Sequence, residues 1–146
     1  MAQQSPLNYV FYIAAKPEKV WQGFVSPESN RIIFMGAELK ADWSPGGVVE
    51  WIGPGQDGQP TAYVRGKVLQ IEPPRLLQYT FALGQTGKES RVTIELAAET
   101  EATKVIVMHD EWADDDSTYA MTEDGWPRIL SRIKTLIETG KTFKPH

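Results

Sequence analysis

The sequence predicts an α+β fold in which an antiparallel β-sheet wraps around one long C-terminal helix. Two observations lead to this prediction. The last quarter of the chain has the apolar spacing of a helix, whereas the segment between residues 38 and 112 consists of short runs typical of β-strands. Because the strands are segregated from the long helix, we expect one face of the sheet to pack on that helix.

The C-terminal helix is predicted to begin at Trp126 and to end at Thr139, before Gly140. Asp124 is a candidate for its N-cap, and charged side chains such as Arg132 are expected to face water. Burying five of its apolar side chains at about 1.5–3 kcal/mol each contributes roughly 8–15 kcal/mol, so the helix must pack on a large surface. The apolar positions, spaced by three or four residues, are Trp126, Ile129, Leu130, Ile133, Leu136 and Ile137.

One strand and two short helices are predicted before the main sheet. Leu7–Ile13 is rich in aromatic and β-branched residues, which favours a strand. Pro17 suits the first position of a helix, and Ser26 suits the N-cap of a second one. The second helix is expected to run to about Phe34 and to end at Gly36.

Six further strands are predicted between turns that are rich in glycine and proline. Val92, Ile94 and Leu96 alternate with polar residues and give the clearest two-residue period. The predicted strands cover residues 38–43, 48–52, 62–72, 76–83, 90–98 and 103–112.

Length and composition favour a single domain spanning residues 1–146. The 15 lysine and arginine residues are scattered, and 19 aspartate and glutamate residues bring the net charge to −4, which argues against nucleic-acid binding. The chain has no cysteine, so disulfides and thiolate chemistry are excluded. No apolar run approaches membrane-spanning length and the N-terminus lacks a secretory signal pattern, so we expect no membrane insertion and a cytoplasmic location.

Five ordered motifs carry a resemblance that runs almost from end to end. They are YIAAKPEKVW at residues 12–21, DWSPGG at 42–47, IEPPRLLQYT at 71–80, HD at 109–110 and GWP at 125–127. With these motifs the chain resembles bacterial proteins similar to the C-terminal domain of the activator of heat shock protein 90 ATPase, within the START and birch-pollen-allergen-like SRPBCC superfamily. The resemblance implies a helix-grip fold, a curved seven-stranded sheet around the C-terminal helix. It also implies a cavity in which relatives bind apolar molecules and some catalyse cyclisation.

Aromatic residues, among them five tryptophans, exceed what a small filled core requires. Apolar pockets with a few polar groups are the usual sites for small molecules. We therefore predict a ligand cavity where the sheet faces the long helix, although the same side chains would also suit a filled core. The predicted ligand-binding residues are Trp51, Tyr79, Phe81, His109, Trp126 and Ile133.

His109 is the only internal histidine and a candidate catalytic residue, because the ordinary pKa of histidine lies near neutrality. On a strand, Asp110 would point to the opposite face, whereas Glu111 would share the face of His109 and is a second candidate. The resemblance implies that this row faces inward, with Glu111 near the cavity mouth. The alternative is a histidine hydrogen-bonded in the core or to the C-terminal helix, and no serine, second histidine or thiol stands at a telling spacing.

Two other patterns are rejected as binding motifs. Residues 53–58 fit G-x-G-x-x-G, but the chain continues into a strand and not into a phosphate-binding helix, so we predict a turn. The consecutive aspartates 114–116 lack the alternating ligands of a calcium loop and are predicted to form a solvated loop. Since zinc-ligand spacing is also missing, neither a metal nor another cofactor is expected.

The favoured function is reversible binding of a small apolar or aromatic molecule. One alternative is a protein-interaction module that resembles the chaperone-ATPase activator. The other is a cavity-based enzyme of the cyclase type that uses His109. The sequence leaves open the identity of the ligand, whether any reaction is catalysed, and whether the protein is a monomer or a homodimer.

Overall fold

The computed structural model describes residues 4–34 and 36–144. The elements follow the predicted order, and every strand lies within two residues of its predicted bounds, which confirms the α+β class. The elements are β1 (Leu7–Ile13), α1 (Pro17–Val25), α2 (Pro27–Ile33), β2 (Glu38–Ala41), β3 (Val48–Pro54), β4 (Pro60–Glu72), β5 (Leu76–Leu83), β6 (Ser90–Glu99), β7 (Ala102–Asp110) and α3 (Tyr119–Thr139).

The seven strands form one antiparallel sheet in the order β1-β7-β6-β5-β4-β3-β2. Strand β1 pairs with β7 from the other end of the sequence, so the sheet edges are β1 and β2. Alternation along β6 buries Ser90, Val92 and Ile94, whereas Arg91 and Thr93 remain partly exposed on the outer face. The buried rows form the concave face that holds α3.

The short helices begin as the sequence predicts. The Ser26 hydroxyl oxygen accepts a hydrogen bond from the backbone N–H of Ser29 at 3.2 Å, which confirms Ser26 as the N-cap of α2. Within α2, the buried Asn30 amide donates to the carbonyls of Phe24 and Ser26 at 3.0 and 2.8 Å. Its Oδ1 accepts from Trp51 Nε1 at 2.9 Å, so α2 is tied to β3.

Helix α3 begins at Tyr119, about two turns before the predicted start at Trp126. The predicted start is wrong because Pro127, which is typical of a first turn, lies inside this helix. Proline leaves the Glu123 carbonyl without its helical N–H donor, and the Tyr9 hydroxyl lies 3.5 Å from that oxygen. Asp124 is therefore not an N-cap but a surface residue that pairs with Arg128.

Arg132 on α3 is buried, with 2% of its surface exposed, so the prediction that it faces water is wrong. Its guanidinium donates to the carbonyls of Ile32, Ile33 and Phe143. The last carbonyls of a helix lack intrahelical donors, and Arg132 supplies donors at the end of α2. Burial lowers the pKa of Arg132. One side chain thus joins α3, α2 and the C-terminal segment.

The core lies between the concave face of the sheet and α3, where Leu130, Ile133 and Ile137 are buried. Gly23 lets α1 approach α3 closely, because a Cβ at this position would lie 2.5 Å from Cδ1 of Ile137. No helix within residues 4–34 and 36–144 is both long and apolar enough to cross a lipid bilayer.

Candidate functional site

An apolar cavity of about 240 Å³ lies between the sheet and α3. Its wall includes Trp51 on β3, Tyr79 and Phe81 on β5, and Trp126 on α3. None of its lining residues carries a charge. The remaining lining residues are Phe34, Tyr63, Val64, Leu83, Met121, Thr122, Gly125 and Ile129.

The structure places four of the six predicted ligand residues on this wall. Ile133 instead borders a second void of about 20 Å³ between α2, the sheet and α3. His109 lines neither space and lies behind Phe81 and Trp126. The two residues therefore support the wall from behind and do not form its surface.

His109 is completely buried within a cluster of aromatic rings. The Trp112 ring stacks on the imidazole with 4.2 Å between centroids, and Phe81 meets it edge-on at 4.7 Å. The Trp126 ring stands nearly perpendicular to the imidazole at 6.0 Å. His109 faces inward with Val105 and Val107, as the resemblance implies for its row.

Both imidazole nitrogens of His109 have protein partners. An indole N–H can only donate, so Trp126 Nε1 donates to His109 Nδ1 at 3.0 Å. Nε2 then carries the proton and donates to the Ser90 hydroxyl at 2.7 Å, and Ser90 donates to the Phe81 carbonyl at 3.1 Å. The chain of donors and acceptors is complete and selects one tautomer.

Burial lowers the pKa of His109 to about 3, against smaller upward effects of the Asp110 and Asp116 carboxylates. The side chain is therefore neutral at pH 7. Because Nε2 already holds a proton, it cannot accept one from Ser90, as a general base in nucleophilic catalysis must. The arrangement orients Trp126 and does not activate Ser90.

Sequence reasoning misses Ser90, which stands 19 residues from His109 in the chain. The strand registers bring the two together, since His109 pairs with Val92 and Phe81 pairs with Ser90. A signal was present in the sequence. Ser90 is in phase with Val92 and Ile94, so a polar residue heads an apolar, inward-facing row.

Glu111 does not share the face of His109, so the predicted pairing is wrong. Strand β7 ends at Asp110, and Glu111 adopts a left-handed φ of 58°, which breaks the strand alternation. Its carboxylate is exposed and lies 3.5 Å from Arg91, which also binds Asp110 on the outer face at 2.8 Å. The turn brings Trp112 inward, where its indole N–H donates to the His109 carbonyl at 3.0 Å.

The prediction of a solvated acidic loop holds for Asp114 and Asp115 but is wrong for Asp116. Asp116 is 3% exposed, and its carboxylate accepts from the Thr118 N–H at 2.9 Å and the Thr118 hydroxyl at 2.7 Å. It also accepts from the Lys88 N–H at 3.1 Å. Asp116 thus joins the loop before α3 to the loop before β6. Within the described part of the chain, no group of three or more acidic or histidine side chains is placed to hold a metal ion.

Gly53 and Pro54 still belong to β3, and the predicted turn is found in residues 55–59, which connect β3 to β4. Strand β4 begins at Pro60, and no helix follows the third glycine. The segment therefore lacks the helix N-terminus that a dinucleotide site of this pattern requires.

A family model described as "Activator of Hsp90 ATPase homolog 1-like protein" matches residues 14–138. The chain belongs to this family. The resemblance of the motifs to the activator family is therefore confirmed, together with the helix-grip fold that it implies. Among proteins of curated function, none matches this sequence.

Solved structures of similar fold cover nearly all of this activator-family chain. ChR145 from Cytophaga hutchinsonii is 27% identical, with a TM-score of 0.76 over 96% of this chain and 98% of that one. The Aha1 dimer from Colwellia psychrerythraea is 18% identical, with a TM-score of 0.75 over 94% and 99%. DynU16, from the dynemicin biosynthetic locus, is 23% identical, with a TM-score of 0.77 over 95% and 49%. This chain thus spans about half the length of DynU16.

Proposed function

We propose that the protein binds a small apolar or aromatic molecule in the cavity between the sheet and α3. The observation that carries this proposal is an open space of about 240 Å³ walled by aromatic rings and free of charged side chains. Protein interiors seldom leave voids larger than a water molecule, and apolar voids of this kind take up apolar ligands. The aromatic lining residues are Phe34, Trp51, Tyr63, Tyr79, Phe81 and Trp126.

Two tryptophans of the wall are held by buried hydrogen bonds. Trp51 Nε1 donates to Asn30 at 2.9 Å, and Trp126 Nε1 donates to His109 at 3.0 Å. Fixed rings lose little rotational freedom when a ligand arrives, so less of the binding free energy is spent on ordering the site. The hydrogen bonds of the His109 ring to Ser90 and Trp126 therefore support ligand binding indirectly, because they hold the Trp126 ring in place.

The cavity has an entrance beside the first turns of α3. Met121 and Tyr63, both lining residues, are 67% and 38% exposed. Gly125 is a third lining residue on this side, and a substitution at this position can fill the cavity. A Cβ added at Gly125 meets no atom within 4 Å, so a larger side chain there enters open space without a clash.

Titration with the uncharged bicyclic ketone 2-acetylnaphthalene, followed by quenching of tryptophan emission, tests the proposal. We expect saturable quenching with the wild type and at least a tenfold weaker affinity with Gly125→Leu, which fills the entrance side of the cavity. Ser131→Leu adds the same side chain at an exposed position of α3 outside the lining and should bind as the wild type does. Equal affinity of all three proteins, or no saturable binding, would contradict the proposal. Native mass spectrometry of freshly purified protein would reveal a co-purifying ligand and the assembly state.

A second candidate function is docking on a chaperone of the heat shock protein 90 class, to which the family description refers. Its support on this chain is the outer face of β1 and β7, where Val10, Tyr12 and Met108 are 57%, 45% and 37% exposed. Exposed apolar patches often mark protein contacts.

If docking is the function, adding the protein should raise the chaperone's ATPase rate, Val10→Glu should abolish the effect, and Gly125→Leu should keep it. The Colwellia relative is a dimer, so light scattering on Val10→Glu also tests self-association through this face.

A further inference from the structure

We infer that the ligand is an uncharged aromatic molecule of about two fused rings with one hydrogen-bond acceptor, and that the Tyr79 hydroxyl binds this acceptor. The inference rests on the proposed function and specifies the chemistry of its ligand.

The Tyr79 hydroxyl is a buried polar group without a partner. Tyr79 is 5% exposed, and its hydroxyl makes no hydrogen bond with any residue that the structure describes. Burial raises the pKa of Tyr79, and no hydrogen bond or neighbouring charge contributes to the change. Buried polar groups normally have partners, because losing water without replacement is unfavourable. Other buried polar side chains do have protein partners, among them Asn30, Ser90, His109, Asp116, Thr122 and Arg132.

The hydroxyl also borders open space. Among the described side chains, Gln4 Oε1 is a polar atom that is both fully enclosed by protein and without a partner, and the Tyr79 oxygen is not. Since the Tyr79 oxygen also lacks a partner, part of its surface must face open space. Tyr79 lines the cavity of about 240 Å³ and the adjoining void of about 20 Å³. A molecule in the larger space can therefore accept a hydrogen bond from the Tyr79 hydroxyl. The smaller void has room for about one water molecule, which is the competing partner.

Charge and size restrict the ligand further. The cavity offers no charged side chain to compensate a buried carboxylate or ammonium group, so a neutral ligand is favoured. An apolar cavity of about 150 Å³ holds benzene, whereas sites for drug-sized ligands measure roughly 300–1,000 Å³. A space of about 240 Å³ lies between these limits and suits a bicyclic molecule. Aromatic walls favour a planar one.

The test uses two probes of the same shape, 2-acetylnaphthalene and 2-isopropenylnaphthalene. The second probe carries a CH₂ group where the first has its carbonyl oxygen. Their dissociation constants are measured with the wild type, Tyr79→Phe and Tyr63→Phe by quenching of tryptophan emission. Tyr63 is the matched control because it also lines the cavity but its hydroxyl already donates to the Pro54 carbonyl. Comparing the ratio of the two dissociation constants between the wild type and each variant cancels the difference in hydrophobicity between the probes.

We expect Tyr79→Phe to reduce the relative preference for the ketone by roughly fivefold to tenfold, as the loss of one hydrogen bond in an apolar site predicts, and Tyr63→Phe to leave it unchanged. Binding of both probes with an unchanged ratio in Tyr79→Phe would overturn the inference but leave the proposed function standing. If neither probe binds the wild type, the proposed function fails as well. Should Tyr79→Phe not fold, the carbonyl stretching frequency of the ketone bound to the wild type decides. A decrease relative to an alkane solution supports the hydrogen bond, and an unchanged frequency refutes it.

Discussion

At the residue scale, His109 connects β6, β7 and α3, and of these α3 lines the cavity. Its ring nitrogens reach Ser90 on β6 and Trp126 on α3, while its backbone belongs to β7. A buried polar chain of this kind stabilises only when every member is satisfied, because an unpaired buried group costs about 1–3 kcal/mol. Protonation of His109 would remove the acceptor that Trp126 requires. The position of one cavity wall thus depends on a neutral imidazole.

The first prediction concerns the pH dependence of stability. Unfolded histidine binds a proton below about pH 6.5, whereas burial keeps His109 in the folded state neutral down to about pH 3. The unfolded state therefore binds more protons in this window, and the free energy of unfolding falls as the pH decreases from about 6.5 towards 3. The slope from this group reaches about 1.4 kcal/mol per pH unit. Urea unfolding between pH 5 and 7 should show the slope in the wild type but not in His109→Asn.

The control is His146→Gln, since His146 is the other of the two histidines in the chain. This variant should keep the full slope. An NMR titration in which the His109 ring titrates near pH 6.5 would contradict the prediction, and a ring that stays neutral at pH 5 would support it.

The sequence predicted the aromatic residues of the site but not the residues whose partners are backbone atoms or lie far away in the chain. Trp51, Tyr79, Phe81 and Trp126 could be assigned to the region facing the helix, because strand and helix periods place aromatic side chains there. The burial of Arg132 could not be predicted, because its partners are backbone carbonyls that leave no sequence signal and because charged residues are mostly exposed.

At the element scale, α3 combines a proline with a continuous helix. Gly125, Trp126 and Pro127 together are typical of a helix start, yet two turns precede them here. Those first turns carry Met121 and Thr122, which line the cavity. The sequence therefore indicated the last two thirds of the helix and missed the first third, residues 119–125, which lies beside the entrance.

The second prediction tests the buried face of α3. Ile133 is 2% exposed, and Ile133→Asp would place a carboxylate in the core, with an expected loss of several kcal/mol in the free energy of unfolding. Ser131→Asp introduces the same side chain two residues earlier at an exposed position and should change stability by less than about 0.5 kcal/mol. Thermal denaturation of both variants measures the difference. Melting of Ile133→Asp within a few degrees of the wild type would mean that this face is assigned wrongly.

The third prediction concerns the contact between α3 and α2. Arg132→Met keeps an unbranched side chain but leaves the carbonyls of Ile32, Ile33 and Phe143 without this donor. We expect a loss of about 2–4 kcal/mol in the free energy of unfolding. Arg128→Met, which removes only an exposed pair with Asp124, should lose less than about 1 kcal/mol. Similar losses in both variants, measured by urea unfolding, would argue against the structural role of Arg132.

At the scale of the whole molecule, the sequence predicted the order of the elements but left open whether the space between sheet and helix is empty or filled. Strand and helix periods record which face of each element is apolar, and those faces must meet in one core. Whether they meet with a void depends on the volumes and rotamers of side chains from separate elements, such as Phe34 after α2, Trp51 on β3 and Trp126 on α3. The aromatic surplus suited a cavity and a filled core equally, and the structure shows an open space of about 240 Å³.

The last prediction links ligand binding to the stability of the whole domain. A ligand that binds only the folded state raises the free energy of unfolding by about 2.7 kcal/mol at a hundredfold excess over its dissociation constant. For a domain of this size that corresponds to an increase of roughly 6–10 °C in melting temperature. We expect 2-acetylnaphthalene to produce this increase in the wild type and in Ser131→Leu. Gly125→Leu should melt at least as high as the wild type without ligand, because leucine is a better helix former than glycine, but should gain little from the ligand. An equal increase in Gly125→Leu would place the bound molecule outside the cavity between the sheet and α3.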